Sequence, residues 1–210
     1  MKKTVVIVGL LSLMSCNENT VEPENNLNSQ ITALPTEELS SAEEQGLLFL
    51  REEEKLARDV YTTLYNQWGV RVFDNISQSE QTHTDAIKAL INKYGLTDPV
   101  TNDATGIFVK KELQQLYDQL VASGSLSIEN AYSAGATIED LDLFDLAQNL
   151  NEVDNQDITF VYENLSKGSR NHLRAFYDRI TSIGKDYTPQ FISEEQFNDI
   201  VTSSKETGSW

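Results

Sequence analysis

Four long segments of this chain carry apolar residues at helical spacing, and each stripe is interrupted by a side chain of the kind that ligates metals. Between Ser40 and Trp68 the positions three and four residues apart are Leu47, Leu50, Glu54, Ala57, Tyr61, Leu64 and Trp68. All but Glu54 suit the core of a helical bundle. A second helix, expected from Asp74 or Asn75 to Tyr94-Gly95, places Ile76, Glu80, His83, Ile87, Leu90 and Tyr94 on one face. A third, capped by Thr137 and running to about Leu150, aligns Glu139, Leu143, Leu146 and Leu150, with Asp142 beside them. The last long helix, Asn155 to Ile183, aligns Ile158, Tyr162, Leu165, Ser169, His172, Phe176 and Ile180. No alternation of period two is long enough for a strand, so the fold class is all-α.

The remaining segments fill in around that bundle. Gly95 to Gly106, with Asp98-Pro99, reads as a loop, and Ile107 to Ala122 as a helix closed by Ser123-Gly124. Shorter helical material follows Ser127, and Ser193-Glu-Glu-Gln196 has the pattern of a capping box for a short terminal helix. The expected architecture is a four-helix bundle with extra helices in its crossover and a short C-terminal helix.

The N-terminus reads as a targeting signal. Lys2 and Lys3 precede an apolar stretch, Thr4 to Met14, too short to stay as a membrane-spanning helix. It ends in Leu13-Met14-Ser15-Cys16, which resembles the lipobox of bacterial lipoproteins; an ordinary secretory signal is the alternative. That resemblance implies cleavage before Cys16, lipidation there, and a place in the bacterial cell envelope on the outer membrane. Residues 1–15 are then signal peptide, 16–36 the lipidated cysteine and a flexible tether poor in large apolar residues, and 37–205 the helical domain.

Charge and residue counts narrow the chemistry. Acidic residues number 33 against 16 basic ones, a net charge of −17 that disfavours nucleic acid as a partner. With one cysteine, the chain builds neither a thiolate zinc site nor an iron–sulfur cluster. It has two histidines, and both fall on buried stripes of separate helices. Several carboxylates inside a bundle are costly unless neutralised, and Lys and Arg do not occupy these stripes. Two divalent cations would neutralise them, held by Glu54, Glu80, His83, Glu139, Asp142 and His172. Oxygen and imidazole donors together favour iron, manganese or zinc over calcium. Each residue has a plainer alternative: Glu54 paired with Arg58, Glu80 closing a cap from Ser77, His172 bonded to a carbonyl, and the Glu139–Asp142 acids complementing a helix N-terminus.

Three segments carry a resemblance. Glu54-Lys-Leu-Ala-Arg-Asp-Val-Tyr61 resembles the first helix of rubrerythrins, Glu80-Gln-Thr-His83 resembles the E-x-x-H of ferritin-like di-metal proteins, and Glu139-Asp-Leu-Asp142 resembles the paired acids of the third rubrerythrin helix. Glu52 to Tyr61, Ile138 to Asp142 and Gly168 to Phe176 are together similar to a bacterial ferritin-like family labelled domain of unknown function 2202. The resemblance implies a ferritin-like bundle with an iron pair, and Tyr61 and Ser169 beside the metals. One departure stands out: the last helix reads Ser169-Arg-Asn-His172, where a second E-x-x-H is usual. Two functions follow as expectations. One is an oxidase- or peroxidase-type protein at the envelope, served by an external electron donor. The other is a non-catalytic metal-binding or surface interaction module.

Overall fold

The computed structural model describes residues 23–208. Helices α1 (Pro23–Ala33), α2 (Ser41–Trp68), α3 (Arg71–Lys93), α4 (Lys111–Gly124), α5 (Ile128–Leu150), α6 (Gln156–Ser182) and α7 (Glu194–Thr202) account for its secondary structure. No strand occurs among the described residues, as an all-α fold requires. α2 opens on a capping box in which Ser40 Oγ accepts from Glu43 N and the Glu43 carboxylate accepts from Ser40 N. Glu43 also ties the bundle together, because its other oxygen accepts the amides of Asp154 and Asn155 before α6.

Helices α2, α3, α6 and α5 close a ring in which each packs on two neighbours, and the diagonal pairs do not pack. Two apolar layers fill it. Leu47 and Leu50 of α2 meet Ile87 and Leu90 of α3, Leu146 of α5 and Leu165 of α6 in one layer. Ala57 and Leu64 of α2, Phe73 of α3, Ala136 of α5 and Phe176 of α6 meet in the other. Read along each helix, these layers give the directions up, down, down, up, with α4 on the long crossover between α3 and α5. Between the layers lies a band of ionisable side chains.

Four boundaries differ from the sequence-based expectation. α5 is continuous from Ile128, capped by Ser127 Oγ accepting from Asn130 N, so Thr137 lies inside the helix. Small residues carry that first half: a Cβ at Gly135 would come within 2.5 Å of the Phe176 ring, so the close approach of α6 requires glycine there. α3 starts earlier, at Arg71, and α4 later, at Lys111.

The fourth difference is α1, which occupies most of the expected tether. Leu27 and Ile31, four residues apart, are buried against α3 and α6. Lys93 Nζ donates to the carbonyls of Ile31 and Leu34 and pairs with Asp157 at 2.7 Å, fixing the end of α1 to the bundle. The signal segment and Cys16 lie outside the described residues. Among the described residues no helix is long and apolar enough to cross a membrane.

Candidate metal centre

Each helix of the ring places at least one ligand-type side chain in the polar band. Glu54 (α2), Glu80 and His83 (α3) bring ligand atoms within 4.8 Å of one another, and Glu80, Glu139 (α5) and His172 (α6) do the same. Glu80 belongs to both groups. Its Oε2 lies 2.7 Å from His83 Nδ1 and its Oε1 lies 2.7 Å from His172 Nδ1. Glu54 Oε2 is 3.2 Å from His83 Nδ1, and Glu139 Oε2 is 3.4 Å from His172 Nδ1. The two imidazoles stack with centroids 5.6 Å apart.

The plainer alternatives are not what the structure contains. Arg58 turns to Asp59, Gln81 and Asp103 rather than to Glu54. Ser77 sits inside α3 and bonds the Asp74 carbonyl, so Glu80 closes no cap. His172 Nε2 meets Ser79 Oγ at 3.0 Å rather than a carbonyl.

These residues fit a cation pair on grounds of their own geometry. Both oxygens of Glu80, Oε2 of Glu139 and Nδ1 of His172 are buried with no partner in hydrogen-bonding alignment, although heavy atoms lie close by. Carboxylate oxygens and imidazole nitrogens thus converge on shared points, with His83 Nδ1 facing both Glu54 and Glu80 and His172 Nδ1 facing both Glu80 and Glu139. Buried polar groups left in this way are rare and costly, and a cation satisfies several at once.

Electrostatics sharpens the point. Burial is the largest influence on Glu54 and, with Glu80 nearby, lifts its carboxyl from the ordinary 4.5 to about 7 despite His83. Burial would also lift Glu80, but His83 and His172 outweigh it and hold that carboxylate well below its usual range. Burial lowers His172, yet Glu80 and Glu139 together raise it to about 9. The metal-free centre therefore holds protons where cations would sit.

Neighbouring side chains fix the ligands. Tyr61 Oη donates to Glu139 Oε1 at 2.6 Å and orients that carboxylate. With His172 Nδ1 as a ligand atom, its Nε2–H would donate to Ser79 Oγ, 3.0 Å away, which sets the ring plane. Ser169 is buried but turns to its own helix, donating to the Leu165 carbonyl at 3.2 Å. Gly168 leaves room for His83, since a Cβ there would lie 2.5 Å from His83 Cε1 and Nε2. Gly168→Ala should displace that imidazole and weaken metal uptake by roughly 10–100-fold, the range for disturbed ligand support. Equilibrium dialysis against a metal buffer checks this.

Asp142 stands apart from the other five. It is buried and both oxygens lack a hydrogen-bond partner, yet it joins neither three-residue group. Burial, followed by Glu53 and Glu54, pushes its carboxyl well above the usual range. Glu53, absent from the expected ligand set, is 2% exposed and also unpartnered, and burial followed by Asp145 raises it strongly. Its signal was present in the spacing: Glu53 follows Leu50 by three and precedes Ala57 by four, as fits the same stripe.

The far side of α2 has a structural task. Arg51 holds Asp98 with two nitrogens, and Glu52 accepts the Val109 amide at 2.6 Å. Buried Lys55 pairs with Asp59 and donates to the Ala104 carbonyl, while Asp59 accepts the Gly106 amide. The Glu52–Tyr61 segment thus faces the polar band on one side and fastens the crossover loop on the other.

Residues 43–204 match the family described as uncharacterized protein domain DUF2202, and the chain belongs to that family. It is 53% identical over 178 residues to uncharacterized protein MJ0754 of the archaeon Methanocaldococcus jannaschii, covering 85% of this chain and 96% of that protein. The crystal structure of hypothetical protein MJ0754 aligns with a TM-score of 0.81 at 53% identity, covering 82% of this chain and 99% of that one. The expectation of a bacterial family is corrected by this archaeal relative.

Proposed function

We propose that this protein is an envelope-anchored ferritin-like metal protein holding two divalent cations, iron by preference, in an oxidase- or peroxidase-type centre. The observation that carries the reading is the sharing of Glu80 between two ligand groups drawn from four helices. A single long crossover, with α3 and α5 parallel, agrees with a ferritin-like bundle. Glu54 and His83 would hold one cation, Glu139 and His172 the other, and Glu80 one oxygen to each. Iron suits the mixed oxygen and nitrogen donors; manganese and zinc suit them too. When bound, a ferrous pair supplies two electrons to an O–O bond. The chain's own contribution is to hold the ligands, orient Glu139 and His172 through Tyr61 and Ser79, and keep bulk water from a site enclosed by two apolar layers. With a single cysteine in the chain, electrons come from a separate donor.

Peroxide added to ferrous-loaded protein should oxidise iron faster than in His83→Ala at matched iron occupancy. Equal rates would select the second reading, a non-catalytic metal-binding or surface interaction module. Ser169 favours that second reading, because it stands where a further carboxylate is usual and bonds its own helix. The envelope anchor rests on the Leu13–Cys16 pattern. Cys16→Ser should abolish lipid labelling and shift the protein out of the membrane fraction; unchanged fractionation would contradict the anchor.

A further inference from the structure

A cavity of about 620 Å³ opens between α3, α6 and the segment after α7, and its inner wall includes Ser79, Gly168 and His172. These are the residues that orient His172 and make room for His83. His172 is 8% exposed, whereas Glu54, Glu80, His83 and Glu139 range from 0% to 3%. Of the five converging side chains it is the one nearest to solvent.

The cavity's charge opposes that of the protein. Arg71, Arg174, Arg179 and Lys205 line it against one acid, Asp178, in a chain of net charge −17. Arg174 is engaged, donating to the Ile200 carbonyl and pairing with Glu206. Arg71, Arg179 and Lys205 are exposed and stand in no ion pair among the described residues. The wall itself is built: Arg170 holds Glu206 with two nitrogens at 2.7 and 2.6 Å, and Arg174 holds Ser203, so the chain after α7 is fastened along α6. A group of unpaired cations around a concave surface concentrates anions locally even when the whole molecule repels them.

We propose that this cavity is an anion-binding vestibule that admits small anions to the His172 side of the metal centre. The proposal rests on the metal-centre reading for its inner end, while the anion site stands on the cations alone. At about 620 Å³, room for about 20 waters at ~30 Å³ each, it takes a small inorganic oxyanion or a pseudohalide together with its hydration shell.

Phosphate titrated into the metal-free protein tests the anion site directly, read by amide NMR shifts at Ser79 and Gly168. Saturable shifts are expected, with at least tenfold weaker binding in an Arg71→Gln/Arg179→Gln/Lys205→Gln variant of unchanged fold. Absent saturation, or equal affinity in the triple variant, overturns the proposal. Azide added to cobalt-loaded protein tests the passage, read by the visible spectrum. Azide association should slow at least tenfold in the triple variant and again in Asn75→Trp, which fills the cavity from an exposed position, at unchanged cobalt content. Cobalt bound with azide association indifferent to these changes overturns the passage. Phosphate binding without cobalt uptake would uphold the anion site and refute the metal-centre reading instead.

Discussion

Replacing Glu80 with glutamine should remove both cations at once, taking the metal content from two per chain to none. Glu80 faces His83 with one oxygen and His172 with the other, so it is the residue both positions share. Glu54→Gln should instead spare the position at Glu139 and His172, and Glu139→Gln the position at Glu54 and His83. Glutamine is the informative replacement because it keeps the volume; alanine would leave a void and take from two buried imidazoles their nearer carboxylate, a loss of about 3–5 kcal/mol. Each cation at a hundredfold excess over its Kd stabilises the fold by about 2.7 kcal/mol, so two independent ones add about 5 kcal/mol, or roughly 10–20 °C in Tm for a chain of this size. That increment should vanish in Glu80→Gln. Metal content by mass spectrometry and the thermal shift give independent readings, and retention of one cation would show that Glu80 is not shared.

The second large effect is a pH dependence of opposite sign with and without metal. In the metal-free fold Glu54 holds its proton up to about 7, above its ordinary 4.5, so stability falls as pH rises through that window. His172, raised to about 9, contributes stability that is complete below its ordinary 6.5 and is lost as pH climbs through 9. Both shifts act in one direction, and the metal-free protein should lose several kcal/mol between pH 5 and 9, since each tenfold change in proton affinity is worth about 1.4 kcal/mol. Glu80, held low by the two imidazoles, adds a loss at the acid end as pH falls below 4.5. Metal affinity should run the other way, because binding displaces protons from Glu54 and both imidazoles. The gap in Tm between loaded and metal-free protein should therefore widen as pH rises. A metal-free Tm that stays level from pH 5 to 9 would contradict the proton-holding centre.

Much of the bundle was legible because its signal is periodic. Where a helix buries one stripe, a carboxylate or imidazole at a stripe position must face the interior, and five of the six expected residues do converge. Asp142 shares the buried side of α5 but sits one turn on from Glu139, toward Glu53. The parts that escaped lack periodicity. Among the described side chains, α1 offers just Leu27 and Ile31 as buried apolar contacts, in an otherwise polar segment that docks on α3 and α6. The first half of α5 packs through Ala131, Ala134, Gly135 and Ala136, small residues that make a weak apolar stripe, so Thr137 reads as a start when it is interior. Burial of Arg51, Glu52, Lys55 and Asp59 depends on a loop some fifty residues away in sequence, which no spacing along α2 reveals.

The proposed centre is a pair of cations in the polar band between the two apolar layers, with Glu80 shared by both. Anomalous diffraction from crystals of metal-loaded protein, collected at the absorption edge of the bound metal, tests it most directly. Two peaks are expected inside the ring of helices, one between Glu54, Glu80 and His83 and one between Glu80, Glu139 and His172. A map with no peak in that band, or with peaks confined to surface acids, would contradict it.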